Sequence, residues 1–359
     1  MAVERFLGTR AQRSFIATIL FQTVAVLVMV AIVFRLVEDH VDFNTSRYKT
    51  IPCYLALFAL AEIFEILLAL DALRLRNVIQ LAGILLFHGA LIVFAALQIH
   101  ETKSALSKAE DDCQGNINCN GVLWRRVQPY LIVAPCVIGV SWPVLMFFVR
   151  ELYFEFGWAI FHVVGANPKM KTMYQYYQIM VCLLKFNFFC FIGVSMQMLI
   201  LVLSSSSAEF GITIAAVPVV VFLLVACAVA VQREIKWLMS ISLVLMLAAE
   251  AYCIYKLVRF YEPSSQAQYL STRATLTFFT ITSFLLLFAT FAVGLRCFAD
   301  FDKGLQYSKV YGSGQSSYTP VKQPLQDLSE ETSTDGMNMG QRQSSYVGGS
   351  HLQPRISIE

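Results

Sequence analysis

Charge is scarce in this sequence. Asp, Glu, Lys and Arg make up 14% of 359 residues, where soluble domains average about 25%. That scarcity excludes the two or three soluble domains the length would otherwise allow. The formal net charge of +3 is small and scattered, so nothing offers the basic stripe that nucleic acid requires. Histidine is rare as well. The five present form no H-E-x-x-H and no close metal-ligand spacing, so neither a metal nor another cofactor is expected. A G-x-S-x-G elbow and a Walker loop are missing. Gly312-Ser313-Gly314 lies in a polar tail, without the strand and helix a phosphate cradle needs. The expectation is a protein that is not an enzyme. A disulfide framework is lacking too, because most of the nine cysteines lie in apolar runs, where a thiol behaves as a small hydrophobe. No cleavable leader is expected, since the run Ser14–Phe34 behind Arg5, Arg10 and Arg13 exceeds the usual length of a signal core.

What the chain has in abundance is apolar sequence, 57% of its residues, in runs near the twenty needed to cross about 30 Å of hydrocarbon. Eight spans are predicted, at Ser14–Phe34, Ile51–Leu70, Val78–Ile99, Val127–Val149, Tyr176–Leu203, Phe210–Val231, Lys236–Leu257 and Ala274–Cys297. Lipid offers bare backbone no partners, so each must be helical. Pro135, Pro143 and Pro218 then mean kinks. The predicted fold is an all-α polytopic transmembrane helix bundle over residues 14–302, whose partner is the lipid bilayer. Residues 1–13 form a cytosolic N-terminus. Residues 303–359, rich in Gly, Ser, Thr, Gln and Pro, cannot build a core and read as a disordered cytosolic tail. A seven-span, receptor-like arrangement follows if one run does not span.

Lys and Arg fall in slight excess on the side that includes Arg10, Arg13, Arg74, Arg76, Arg150, Lys169, Lys171, Arg233, Lys236 and Arg296, which predicts both termini in the cytosol. A polar loop from Glu101 leads on the opposite side to Cys113 and Cys119. Their spacing permits a disulfide in an oxidising lumen; two unpaired thiols are the alternative. Asn44-Thr45-Ser46 is a glycosylation sequon on that same side, although close to both flanking spans. Between the fourth and fifth spans, Glu151–Lys171 is too short an apolar stretch to cross. It reads as an interfacial helix, ended by Asn167-Pro168.

Ionisable residues within spans are costly, at least about 2.5 kcal/mol each at the helix centre, and so carry the most information. Glu62 and Glu65, three apart, share a helical face. His88 lies in the third span, Lys185, Asn187 and Gln197 in the fifth, and Glu250 in the seventh. One reading is an ion- or proton-coupled site with Glu62, Glu65 and Glu250 as acidic relays and Lys185 as counter-charge. The other is a static polar network, with Lys185 reaching the cytosolic surface. The tail carries Tyr307-Ser-Lys-Val310 and Tyr318-Thr-Pro-Val321, tyrosine-x-x-apolar patterns of the kind coat adaptors read. Thr319-Pro320 and the stretch Ser329–Thr334 offer acceptors to kinases. These motifs support an alternative function, a receptor-like or trafficking scaffold that acts through its tail. Oligomeric state is not legible here.

Met170-Lys-Thr-Met-Tyr-Gln-Tyr-Tyr-Gln178, Leu184-Lys-Phe-Asn-Phe-Phe189, Arg233-Glu-Ile-Lys-Trp-Leu238 and Tyr255-Lys-Leu-Val-Arg259 together resemble an uncharacterised fungal family of Golgi-apparatus multi-pass membrane proteins (UPF0658-like). Glu155-Phe-Gly-Trp-Ala-Ile-Phe161 and Val164-Gly-Ala-Asn-Pro168 fit as well. The resemblance covers most of the membrane region and little of the tail. It implies a Golgi or endomembrane address and a fungal source, and it supplies no activity. An acidic residue commonly stands in the family where this chain has Asn187, which weakens any mechanism needing a carboxylate beside Lys185 at that place.

Overall fold

A computed structural model of the chain describes residues 7–39, 50–107, 122–164, 168–202, 208–262 and 273–303, all in a first unit spanning Met1–Ser316. Asn44, Cys113, Cys119, Tyr307, Val310, Tyr318 and Val321 lie outside the described residues, as does the tail from residue 304 onward.

Eight helices account for nearly all the described residues. They are α1 (Arg10–Glu38), α2 (Thr50–Leu75), α3 (Val78–Ser107), α4 (Val122–Val164), α5 (Pro168–Val202), α6 (Ala208–Arg233), α7 (Lys236–Arg259) and α8 (Arg273–Ala299). Each predicted span lies within one of them, apart from the last residue of the fifth. Seven of the eight are long and apolar enough to cross a membrane, and α6 contains the apolar stretch Val217–Arg233. Apolar side chains cover the outside: Phe21 is 76% exposed, Leu86 78% and Phe222 75%. A water-soluble protein would bury such residues, whereas lipid solvates them. The molecule is a polytopic transmembrane bundle.

The helices run past the predicted ends for local reasons. Thr9 caps α1, its hydroxyl accepting the Gln12 amide at 3.3 Å, which starts the helix four residues before Ser14. The loop predicted from Glu101 instead continues α3 as helix to Ser107. The interfacial helix predicted over Glu151–Lys171 is not a separate element. Its first part continues α4, a single helix of 43 residues with Pro129, Pro135 and Pro143 inside it, while Pro168–Lys171 open α5. No proline stands between Val149 and Asn167, and the helix runs through Gly157, so α4 does not stop at the end of its apolar run. At 1.5 Å per residue α4 is about 65 Å long, twice the hydrocarbon thickness. Its extension is held by Leu152 and Phe156, both fully buried with Phe15 and Leu68. It is also held by Glu155, which accepts from the Thr9 hydroxyl at 3.0 Å and from the side-chain Nε2 of Gln12.

The bundle has two halves built on one plan. In the first, α1 packs on α2 and α4, and α3 packs on α2 and α4. In the second, α5 packs on α6 and α8, and α7 packs on α6 and α8. Each half turns sharply between its second and third helices. Arg76 (φ 50°) and Glu234 (φ 55°) take the left-handed conformation there, and the next amide closes on a carbonyl five residues back, Asn77 to Ala72 and Ile235 to Ala230, both at 3.0 Å. The halves meet chiefly where α5 touches α2 and α3. Gly83 on α3 permits that approach, since a Cβ there would stand 2.9 Å from the Phe186 ring and 3.1 Å from the Cys182 sulfur. Phe64, Phe87, Phe186 and Phe189 interlock across the seam, with ring centroids 4.8 to 6.0 Å apart.

Candidate functional site

The ionisable residues of the first half converge. Glu62 lies on α2 roughly 16 Å along the axis from Ile51, and His88 on α3 about 15 Å from Val78, so both stand near the middle of their spans. Glu62, Glu65 and His88 are each 0% exposed. Because Glu62 and Glu65 share a face of α2, one packing arrangement turns both inward, toward α1, α3 and α4.

Each helix contributes partners. From α1, the Thr23 hydroxyl donates to Glu62 Oε2 at 3.0 Å. The Gln22 amide nitrogen lies 3.3 and 3.4 Å from the two Glu62 oxygens and 3.4 Å from Glu65 Oε2. From α3, His88 Nδ1 lies 2.7 Å from Glu65 Oε1. From α4, the Ile138 carbonyl and the Ser141 hydroxyl stand 3.0 and 3.1 Å from His88 Nε2, and Ser141 donates to Gln22 Oε1 at 2.6 Å. Gln22 therefore closes a ring, accepting from α4 while donating to α2.

This geometry constrains the protons. The Ile138 carbonyl only accepts, so His88 Nε2 carries hydrogen toward it. The contact between Nδ1 and Glu65 then needs one proton, residing on the imidazole or on the carboxyl group. Among the described residues no Lys or Arg joins the set. With that single proton and an ionised Glu62 the cluster carries one net negative charge, and a second proton makes it neutral. Two carboxyl groups and an imidazole on one hydrogen-bonded ring form a unit able to hold either number.

A groove of about 450 Å³ between α1 and α4 reaches the ring at Gln22 and Ser141, its walls otherwise including Phe21, Val137, Val140 and Val144. The ring is thus approached from the lipid-facing side through apolar residues.

The other predicted residues are elsewhere. Lys185 does not face Glu62 or Glu65. It pairs with Asp71 beside the α2–α3 turn and donates to Gln80 Oε1 at 2.7 Å. Gln80 in turn donates to the Leu68 carbonyl at 2.8 Å and to Asp71 at 3.0 Å. Asn187 donates to Thr290 Oγ1 at 2.6 Å and ties α5 to α8. Gln197 is 1% exposed, and neither amide atom has a hydrogen-bond partner among the described residues. Glu250, in the second half, is buried with one oxygen likewise unpartnered. The predicted relay of three acids is thus divided between the halves.

Gln22, Thr23, Ser141 and Asp71 belong to these networks although sequence reasoning passed over them. For Gln22 and Thr23 a signal existed, two adjacent polar residues inside an otherwise apolar run. Asp71 was missed because it falls one residue beyond the predicted second span.

No family model matches the chain, and no solved structure matches it. A curated relative does, the UPF0658 Golgi apparatus membrane protein of Schizosaccharomyces pombe, 29% identical over 274 residues that cover 72% of this chain and 78% of the relative. The bundle of membrane-length helices makes the chain a multi-pass membrane protein, similar over most of its length to that Golgi membrane protein.

Proposed function

We propose that the chain resides in the Golgi or a related endomembrane and moves a solute or ion in exchange for protons held by the Glu62–Glu65–His88 ring. The address is carried over from the relative's name. The observation that supports the mechanism is the contact between His88 Nδ1 and Glu65 at 2.7 Å, set beside a second buried carboxyl group with neutral donors only. A structural network would be served by amides and hydroxyls. Two acids and an imidazole near the centre of a bundle are expensive to insert and are characteristic of proton-handling sites. The groove between α1 and α4 supports access to the ring, because its inner wall includes Gln22 and Ser141. Protonation of Glu62 would release the hydrogen bond from Thr23 or redirect it, which couples charge on α2 to the position of α1.

Infrared difference spectroscopy of the purified protein in lipid vesicles tests this reading. Acidification is expected to raise a protonated-carboxyl band in wild type. The band is expected to shrink in Glu62→Gln and again in Glu65→Gln. A band that does not respond to pH in wild type, or that both variants retain in full, overturns the proposal.

A further inference from the structure

The second half contains an apolar cavity of about 290 Å³ between α5, α6, α7 and α8. Its α7 wall begins at Leu245 and ends at Lys256, roughly 16 Å along the helix axis. That distance is about half of a 30 Å hydrocarbon core, the depth of a single leaflet. Lys256 lies some 30 Å along α7 from Lys236, so the two lysines mark opposite faces of the membrane. The cavity therefore starts at headgroup level and stops near the midplane.

Its chemistry changes along that length. The inner part is apolar, with Leu224 and Leu287 among its walls, and the outer end has Lys256, the one charged residue of the lining among the described residues. The Lys256 ammonium leans over the Tyr252 ring, 5.7 Å from its centroid, and Tyr252 lines the same cavity. Aromatic and cationic side chains together at this depth are the usual furniture of the headgroup zone. The volume sits at the lower bound for ligand pockets, which suits one chain and not a whole lipid.

We propose that this cavity is a lipid site. It takes one acyl chain of an anionic phospholipid from the leaflet at the end of the bundle opposite Arg10, with the phosphate-bearing headgroup on Lys256. Depth selects a chain of leaflet length, and charge selects an anionic head. The site is independent of the proton ring in the first half.

Native mass spectrometry of the full-length protein, released from micelles containing phosphatidylserine and phosphatidylcholine with identical chains, reads both features. Wild type is expected to retain phosphatidylserine about fivefold over phosphatidylcholine, the effect of one basic residue near the headgroups. Lys256→Gln should keep bound lipid but lower that ratio to about one. Ala248→Trp, an exposed wall position where added bulk fills the cavity without disturbing buried packing, should lose retained lipid of both kinds. Equal retention of the two lipids by wild type, an unchanged ratio in Lys256→Gln, or undiminished retention in a monodisperse Ala248→Trp protein would each overturn the proposal.

Discussion

Replacing His88 by Leu removes the imidazole and leaves Glu65 facing a hydrocarbon side chain. Glu65 is fully buried. Its Oε1 loses a partner at 2.7 Å, while Oε2 keeps only the Gln22 amide at 3.4 Å. Breaking one side of a buried pair costs about 3–5 kcal/mol, chiefly because the other side is stranded. The lower figure applies, since on the α4 side the Ser141 hydroxyl keeps its bond to Gln22 Oε1 at 2.6 Å. About 3 kcal/mol is a change of roughly 150-fold in the folding equilibrium. If stranding is the cause, neutralising the stranded group should restore most of the loss. The double variant Glu65→Gln/His88→Leu is therefore expected to be destabilised by less than half as much as His88→Leu alone. Buried free thiols at Cys53, Cys190 and Cys227 supply the assay, because a thiol-reactive dye reports their exposure as detergent-solubilised protein unfolds. The two single variants and the double variant complete a cycle. Destabilisations that simply add would refute the shared-proton arrangement of Glu65 and His88.

Two further outcomes follow from packing. Gly83→Leu drives carbon into the Phe186 ring and the Cys182 sulfur. The same thiol assay should show a loss of about 1–3 kcal/mol, and unchanged stability would mean that α3 and α5 are not in contact at this point. Gln197→Leu removes two buried amide atoms that have no partner among the described residues and should raise stability by about 1 kcal/mol, the cost of unpaired polar burial. A lower melting point in that variant would show that Gln197 is satisfied by a ligand or lipid group.

Much of the architecture was legible because lipid removes choices. A run such as Val78–Ile99 has to be a helix, and its span follows from apolar length alone. The ends were less legible, since they depend on caps and breakers. Thr9 extends α1 through a single hydroxyl, and α4 continues past Val149 because no proline stands before Asn167. Buried charges also announced themselves individually, and Glu62 with Glu65 declared a common face through their spacing. Their partners did not. Which helix brings a counter-group is decided by packing between elements far apart in sequence, so Lys185 could be assigned to the wrong acids while Asp71, its partner, lay just outside the predicted span. Uncharged members such as Ser141 are harder still, because one hydroxyl in a membrane helix is satisfied by its own backbone as readily as by a neighbour.

The closed ring within α1–α4 has a consequence for biosynthesis. Among the described residues, every partner of Glu62, Glu65 and His88 is encoded before residue 142. When α2 leaves the insertion machinery, its two acids can turn to Gln22 and Thr23 of the helix made just before it. The arrival of α3 and then α4 completes the set while α5 is still being synthesised. Chains fold N-terminal part first as they emerge, so the costly charges are sheltered early and the second half assembles against a surface already made. A quality-control factor that recognises unpaired intramembrane charge would thus have its interval between α2 and α4, and a defect in Gln22 or Thr23 would be detected during translation, before the seam with α5 exists.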